Sequence, residues 1–155
     1  MMKKLLFGFI FSLICSTPAL AEWEYRDVYD KMRDSHSYSA LLFSEGSSDE
    51  AFLLILINGK NKEVADNASL VINGYNFDCK DLKPCKGLVK FDNNEIQELI
   101  IYSKKYSELA IIDNDKNFVN EIKNSKIAFV ELPIEGKGTQ QFKFKTAGLK
   151  WEVEQ

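Results

Sequence analysis

The chain has 155 residues, 20 of them lysine or arginine against 23 aspartate or glutamate, for a formal net charge of −3. That length fits one domain with a core of its own. A net acidic chain without a lysine- or arginine-rich block excludes a nucleic-acid binder, which needs clustered positive charge to release counterions from phosphate.

The chain opens with Lys3 and Lys4, an apolar run from Leu5 to Cys15 and the small-residue triplet Ala19-Leu20-Ala21 ahead of Glu22. This is the pattern of an export signal cleaved after Ala21. The apolar run is too short for a membrane-spanning helix, which needs about 20 residues. The rival reading, a lipid anchor on Cys15, meets Ile14 where a lipoprotein signal wants a small side chain. The expectation is a removed leader (residues 1–21), a mature domain (residues 22–155) with no stable membrane anchor, and a periplasmic or secreted location.

Next, Tyr25, Val28, Tyr29 and Met32 fall at i, i+3, i+4 and i+7, with Arg26, Asp27, Asp30, Lys31 and Arg33 between them. That spacing predicts a short amphipathic helix. Ser39 to Phe43 and Ala51 to Ile57 read as two strands of a hairpin around the turn-like Glu45-Gly46-Ser47-Ser48-Asp49. Asn58-Gly59 is expected to end the second of them. Asn73-Gly74 lies between Leu70-Val71-Ile72 and Tyr75-Asn76-Phe77 and predicts a tight hairpin, because both central positions of its turn type take positive φ.

The chain has three cysteines. Cys15 leaves with the leader, so Cys79 and Cys85 remain as an even pair in an oxidising compartment and predict a disulfide. Closing so short a ring is worth about 2 kcal/mol in chain entropy. A redox pair would have two intervening residues at a helix start, and here there are five with Pro84 among them.

Leu88-Val89-Lys90-Phe91 is a further strand, closed by Asp92-Asn93-Asn94. From Glu95 to Ile112 a helical stripe (Ile96, Leu99, Ile100) competes with two strands, Leu99 to Tyr102 and Leu109 to Ile112, around Lys104-Lys105; the two-strand reading is taken. Asn114 to Asn124 is helical, with Phe118, Val119 and Ile122 on one face, Asp113, Asn114 and Asp115 available as caps, and Asn124 at the end. Strands return at Ile127 to Leu132, stopping at Pro133. After the turn Gly136-Lys137-Gly138, Phe142, Phe144 and Thr146 alternate with Lys143 and Lys145, and Leu149, Trp151 and Val153 alternate with Lys150 and Glu152. The predicted fold class is α+β: a mostly antiparallel, β-sandwich-like sheet with one or two short helices.

Catalytic machinery is not evident. The single histidine, His36 in Asp34-Ser35-His36-Ser37, reads as an exposed loop residue, since adjacent serines do not face the ring and no glycine-flanked nucleophile elbow occurs. Zinc wants three or four ligands that one histidine and two oxidised cysteines do not supply. Asp113-Asn114-Asp115-Lys116-Asn117 imitates the first half of a calcium loop but has Phe118 where glycine belongs and Asn124 where glutamate belongs. Gly136-Lys137-Gly138 is too short for a phosphate cradle and precedes a strand. Hence no catalytic residue, cofactor or metal ligand is assigned, and the chain is read as not an enzyme. Lys137, Lys143, Lys145 and Lys150 could present a basic face to an acidic partner, against the plainer reading of lysines blunting a sheet edge. Asn67-Ala68-Ser69 matches a glycosylation acceptor, relevant only in a eukaryotic secretory route.

Trp23-Glu24-Tyr25 with Asp30-Lys31-Met32, Gly74-Tyr75-Asn76-Phe77-Asp78-Cys79 with Cys85, Val89-Lys90-Phe91-Asp92, Phe118 with Ile122, Phe142-Lys143-Phe144 and Gly148-Leu149-Lys150-Trp151 follow one another along nearly the whole mature chain. In this order they resemble a family of small uncharacterised exported bacterial proteins and, more distantly, the VasI/TagO-like accessory proteins of type VI secretion. Family members often carry arginine where this chain has Lys90. The resemblance implies a Gram-negative periplasm and brings no catalytic residue with it. Two functions are expected from export, small size and the missing machinery. The first is a non-enzymatic periplasmic interaction module that binds another envelope or secretion-system protein through sheet edges or loops such as Glu45 to Glu50 and Pro133 to Thr139. The alternative is an inhibitor or immunity protein that blocks a cell-wall enzyme or toxin.

Overall fold

The computed structural model describes residues 23–45 and 52–153. The expected leader lies outside them. Period-two alternation dominates the described chain and produces β1 (Glu24–Asp30), β2 (Ser35–Phe43), β3 (Leu53–Gly59), β4 (Val64–Ile72), β5 (Cys85–Phe91), β6 (Gln97–Ser103), β7 (Leu109–Ile112), α1 (Asp115–Asn124), β8 (Ile127–Ile134), β9 (Gly138–Lys145) and β10 (Glu152–Val153).

The strands join in one sheet of order β1-β2-β3-β4-β7-β6-β5-β8-β9, with β10 paired to β4 off this path. Every neighbouring pair along the path is antiparallel, and β10 runs parallel to β4. A sandwich requires two separate ladders, whereas here hydrogen bonds connect all the strands in one open sheet. The second layer that a half-apolar sheet needs comes from curl and from α1. The Glu45 amide, just past β2, donates to the Lys143 carbonyl of β9 at 2.7 Å. Trp23 Nε1, just before β1, donates to the Thr146 carbonyl at 3.1 Å. A continuous sheet whose second and last strands touch in this way must roll around its own core.

Inward positions fill that core: Leu53, Ile55 and Ile57 of β3, Leu70 and Ile72 of β4, Ile101 of β6, Val130 and Leu132 of β8 and Phe144 of β9 are fully buried. Helix α1 buries Phe118, Val119 and Ile122 and lies against β4. Phe118 meets Phe91 edge to face, centroids 5.9 Å apart. Each such side chain contributes about 1.5–3 kcal/mol on leaving water.

Several sequence expectations hold, among them the β2–β3 hairpin, the β6–β7 pair and the helix at 115–124. The sulfurs of Cys79 and Cys85 are joined, with Cα atoms 5.5 Å apart. Their ring is tied to the end of β6 by Leu82 N–H to the Ser103 carbonyl (3.1 Å) and by Lys105 N–H to Asp81 Oδ1 (3.1 Å).

Others are corrected. The stripe Tyr25, Val28, Tyr29 and Met32 forms no helix: residues 24–30 are strand β1, paired along their full length to β2, which puts Tyr25 and Tyr29 on one face, Val28 on the other and Met32 in the exposed turn. Asn73-Gly74 makes no tight hairpin. Gly74 takes φ +74°, but β4 is already flanked by β3 and β7, so a returning strand has no slot and Phe77 instead bridges to Ile134. The β3 strand runs through Gly59, and β8 runs through Pro133 to Ile134. Proline is tolerated there because its carbonyl accepts from Asp78 N–H (3.0 Å). Its nitrogen faces the same side, past Glu131, where pairing with β5 has ended. Asn114 is the N-cap residue of α1, but its side chain makes no capping bond; its carbonyl accepts from Asn117 and Phe118 instead.

Candidate functional site

The β1–β2 hairpin outruns the rest of the sheet. Tyr38 is the last β2 residue with a β3 partner, Gly59, while β1 and β2 stay paired out to Asp30 and Ser35. Cross-strand partners share a face, so Tyr25 with Ala40, Asp27 with Tyr38, and Tyr29 with His36 all project on the core side. Tyr38 packs half-buried against the core, and only the Tyr29–His36 pair extends beyond it into solvent.

A cleft of about 570 Å³ opens beside the Tyr25–Ala40 and Asp27–Tyr38 pairs, lined by Tyr25, Arg26, Asp27, Tyr38, Lys62, Glu63, Lys150 and Trp151. Its base depends on Gly59: a Cβ at that position would sit 2.7 Å from the Asn61 carbonyl oxygen and 2.8 Å from Trp151 Cη2. Trp151 can therefore lie flush on the strand only over a glycine. Tyr25 meets Trp151 edge-on at 5.9 Å, and its hydroxyl accepts from Lys150 N–H at 3.0 Å.

Asp27 is shared by two basic side chains. Asp27 Oδ1 is 2.6 Å from His36 Nδ1, and its Oδ2 is 3.2 Å from Lys62 Nζ. The hydrogen bond from His36, joined by that from Lys62, holds the Asp27 carboxyl below its ordinary range against the opposing effect of desolvation. The His36 ring stacks on Tyr38 at 5.8 Å and lies tilted against Tyr29 at 5.0 Å. Tyr29 donates to Asp34, and that bond raises its phenol pKa. His36 is thus an exposed strand residue in an aromatic row, not a loop residue. Ser35 and Ser37 pair with Asp30 and Val28 on the opposite face, so neither hydroxyl can be activated by the His36–Asp27 pair.

The outer face of the sheet carries a second feature. Register aligns Leu41, Leu56, Ser69, Ile111 and Tyr102 across β2, β3, β4, β7 and β6, and aligns Phe43, Leu54, Val71 and Leu109 beside them. These two rows contain no charge. Ile111 is 58% exposed, Leu109 45% and Phe43 37%, and Phe43 is flanked by Phe52 at 5.5 Å.

The remaining candidates separate. Lys143 and Lys145 do not form a free basic comb, since both bind Glu45 at 2.8 Å. Lys137 lies over the Tyr75 ring at 5.2 Å, and Lys150 belongs to the cleft. The segment Pro133 to Thr139 is the paired ends of β8 and β9 with a tight turn at residues 135–137, and of Glu45 to Glu50 only Glu45 is described. Asn67 of the glycosylation triplet is part-buried in β4 and accepts from Asn58 Nδ2 at 2.8 Å. Asp115 of the calcium-loop imitation starts α1. Among the described residues no group of three or more His, Cys, Asp or Glu is placed to hold a metal ion, and no helix is long and apolar enough to cross a membrane.

Sequence reasoning missed both surfaces. The cleft joins β1, the β3–β4 turn and the C-terminal segment, and the period-two set Tyr25, Asp27, Tyr29 was its one local signal. No family model, curated protein or solved structure matches the chain.

Proposed function

We propose that the domain works in the periplasm, after removal of residues 1–21, as a non-enzymatic interaction module that docks onto another envelope or secretion-system protein through the outer face of β2-β3-β4-β7-β6. The observation that carries this reading is the pair of uncharged rows in which Phe43, Leu109 and Ile111 keep a third or more of their surface in water. Leu54 and Val71, half-buried, link Phe43 to Leu109 across the sheet, and an apolar patch of this kind marks a contact surface. The accessory role implied by the resemblance to VasI/TagO-like proteins is consistent with such a surface.

Affinity capture from periplasmic extract tests the reading. The wild-type protein should retain one protein specifically, and the Leu109→Asp/Ile111→Asp double variant, altered only at exposed positions, should lose it while remaining folded. Equal capture by both variants, or turnover of a substrate by the isolated protein, contradicts the proposal.

A further inference from the structure

The two ends of the strand path differ sharply. At the β9 end the edge is occupied: Glu45 takes the Lys143 carbonyl through its amide and both Lys143 and Lys145 through its carboxylate. At the other end, no described residue pairs with the outer edge of β1. Folded proteins blunt an edge with a bulge, a proline, a lysine or a very short strand. Charged side chains do the same. Strand β1, Glu-Tyr-Arg-Asp-Val-Tyr-Asp, has no bulge, proline or lysine over seven residues paired to β2 without a register shift, and its protection rests on its four charges alone.

Its charges are also already neutralised within the hairpin and its surroundings. Arg26 is 3.4 Å from Glu24, Asp30 is 2.7 Å from Arg33, and Asp27 is held by His36 and Lys62. Exposed apolar side chains sit between them, Val28 at 59% and Met32, in the adjoining turn, at 91%.

We propose that two copies of this chain join through the free edge of β1, antiparallel, in the register centred on Val28. Charge selects that register. Centring on Asp27 puts Asp27 against its own copy and Glu24 against Asp30; centring on Arg26 puts two guanidinium groups together. Like charges directly opposite each other destabilise a ladder. Centring on Val28 places Val28 on Val28, Arg26 opposite Asp30 of the second copy twice, and Asp27 opposite Tyr29 of the second copy twice. It overlaps the strands over residues 26–30 without a like-charge pair. The result is one sheet running through two molecules. This inference stands on the edge of the sheet and is independent of the outer-face proposal.

The test combines sedimentation velocity over a concentration series with cysteine cross-linking. The wild-type protein should pass from monomer to dimer as concentration rises. Val28→Asp, at an exposed position, should keep the circular dichroism of the fold and raise the dissociation constant about tenfold or more. Val28→Cys should form a disulfide-linked dimer mapped to position 28, because directly opposite Cα atoms in an antiparallel pair lie about 4.5–5.5 Å apart, within disulfide reach. Met32→Cys, displaced from the axis, should not. A wild-type protein that stays monomeric throughout overturns the proposal, as does a dimer indifferent to Val28→Asp or equal cross-linking at 32 and 28. Protection of the β1 amides from hydrogen exchange only when a different envelope protein is added also overturns it, by assigning the edge to a foreign strand.

Discussion

Gly59 shows how a single missing side chain builds the cleft. It closes the β3 ladder opposite Tyr38, and the space a methyl group would fill is taken by Trp151 and the Asn61 carbonyl. Gly59→Ala should therefore cost about 1–3 kcal/mol through overpacking, read as a lower denaturation midpoint at unchanged slope, with Trp151 fluorescence shifted. A midpoint within error of wild type would mean that Trp151 does not rest on the strand. The sequence showed this glycine only as part of Asn58-Gly59, a pair that suggests a strand end. Its actual role depends on a residue far along the chain, which no local pattern encodes.

At the scale of elements, legibility followed sequence distance. The β2–β3 hairpin, the β6–β7 pair and α1 are local, and their periodicities gave them away. The β1 strand carries a helical stripe because three of its residues, with Met32 of the turn, coincide with helical spacing, while the deciding factor, an available partner in β2, lies outside the window. Asn73-Gly74 failed for the complementary reason: the turn signal was sound in φ at Gly74, but both sides of β4 were taken.

The closure between β2 and β9 gives a prediction with a defined pH dependence. Hydrogen bonds from Lys143 and then Lys145 hold the Glu45 carboxyl below its ordinary value of 4.5. A carboxyl whose folded pKa is depressed stabilises the fold above its unfolded pKa, and that contribution is lost as pH falls through the folded value. Glu45→Gln should thus lower stability by about 1 kcal/mol at neutral pH, the scale of a partly exposed ion-pair network. The gap between variant and wild type should close in acid below the ordinary carboxylate range. No difference between variant and wild type at any pH would show that the closure rests on the Glu45 backbone bond alone.

For the molecule as a whole, one sheet rolled on itself sorts the side chains into three environments. The inside holds the core, the junction of β1, the β3–β4 turn and the C-terminal segment holds the aromatic and ionic cleft, and the outside holds two uncharged rows. The strand-rich, mostly antiparallel character could be read from alternation. The outer rows could not, because Leu54, Leu56, Val71, Leu109 and Ile111 look like ordinary core residues until the register puts them on the other side from Leu53, Ile55 and Leu70. In the function proposed above, another protein covers those rows in the periplasm. Photo-cross-linking in living cells, with a benzophenone side chain at position 111 and a control at the exposed Lys86 on β5, measures this directly. A single discrete adduct from position 111, absent from position 86, is the predicted result; equal or no labelling from the two positions would contradict it.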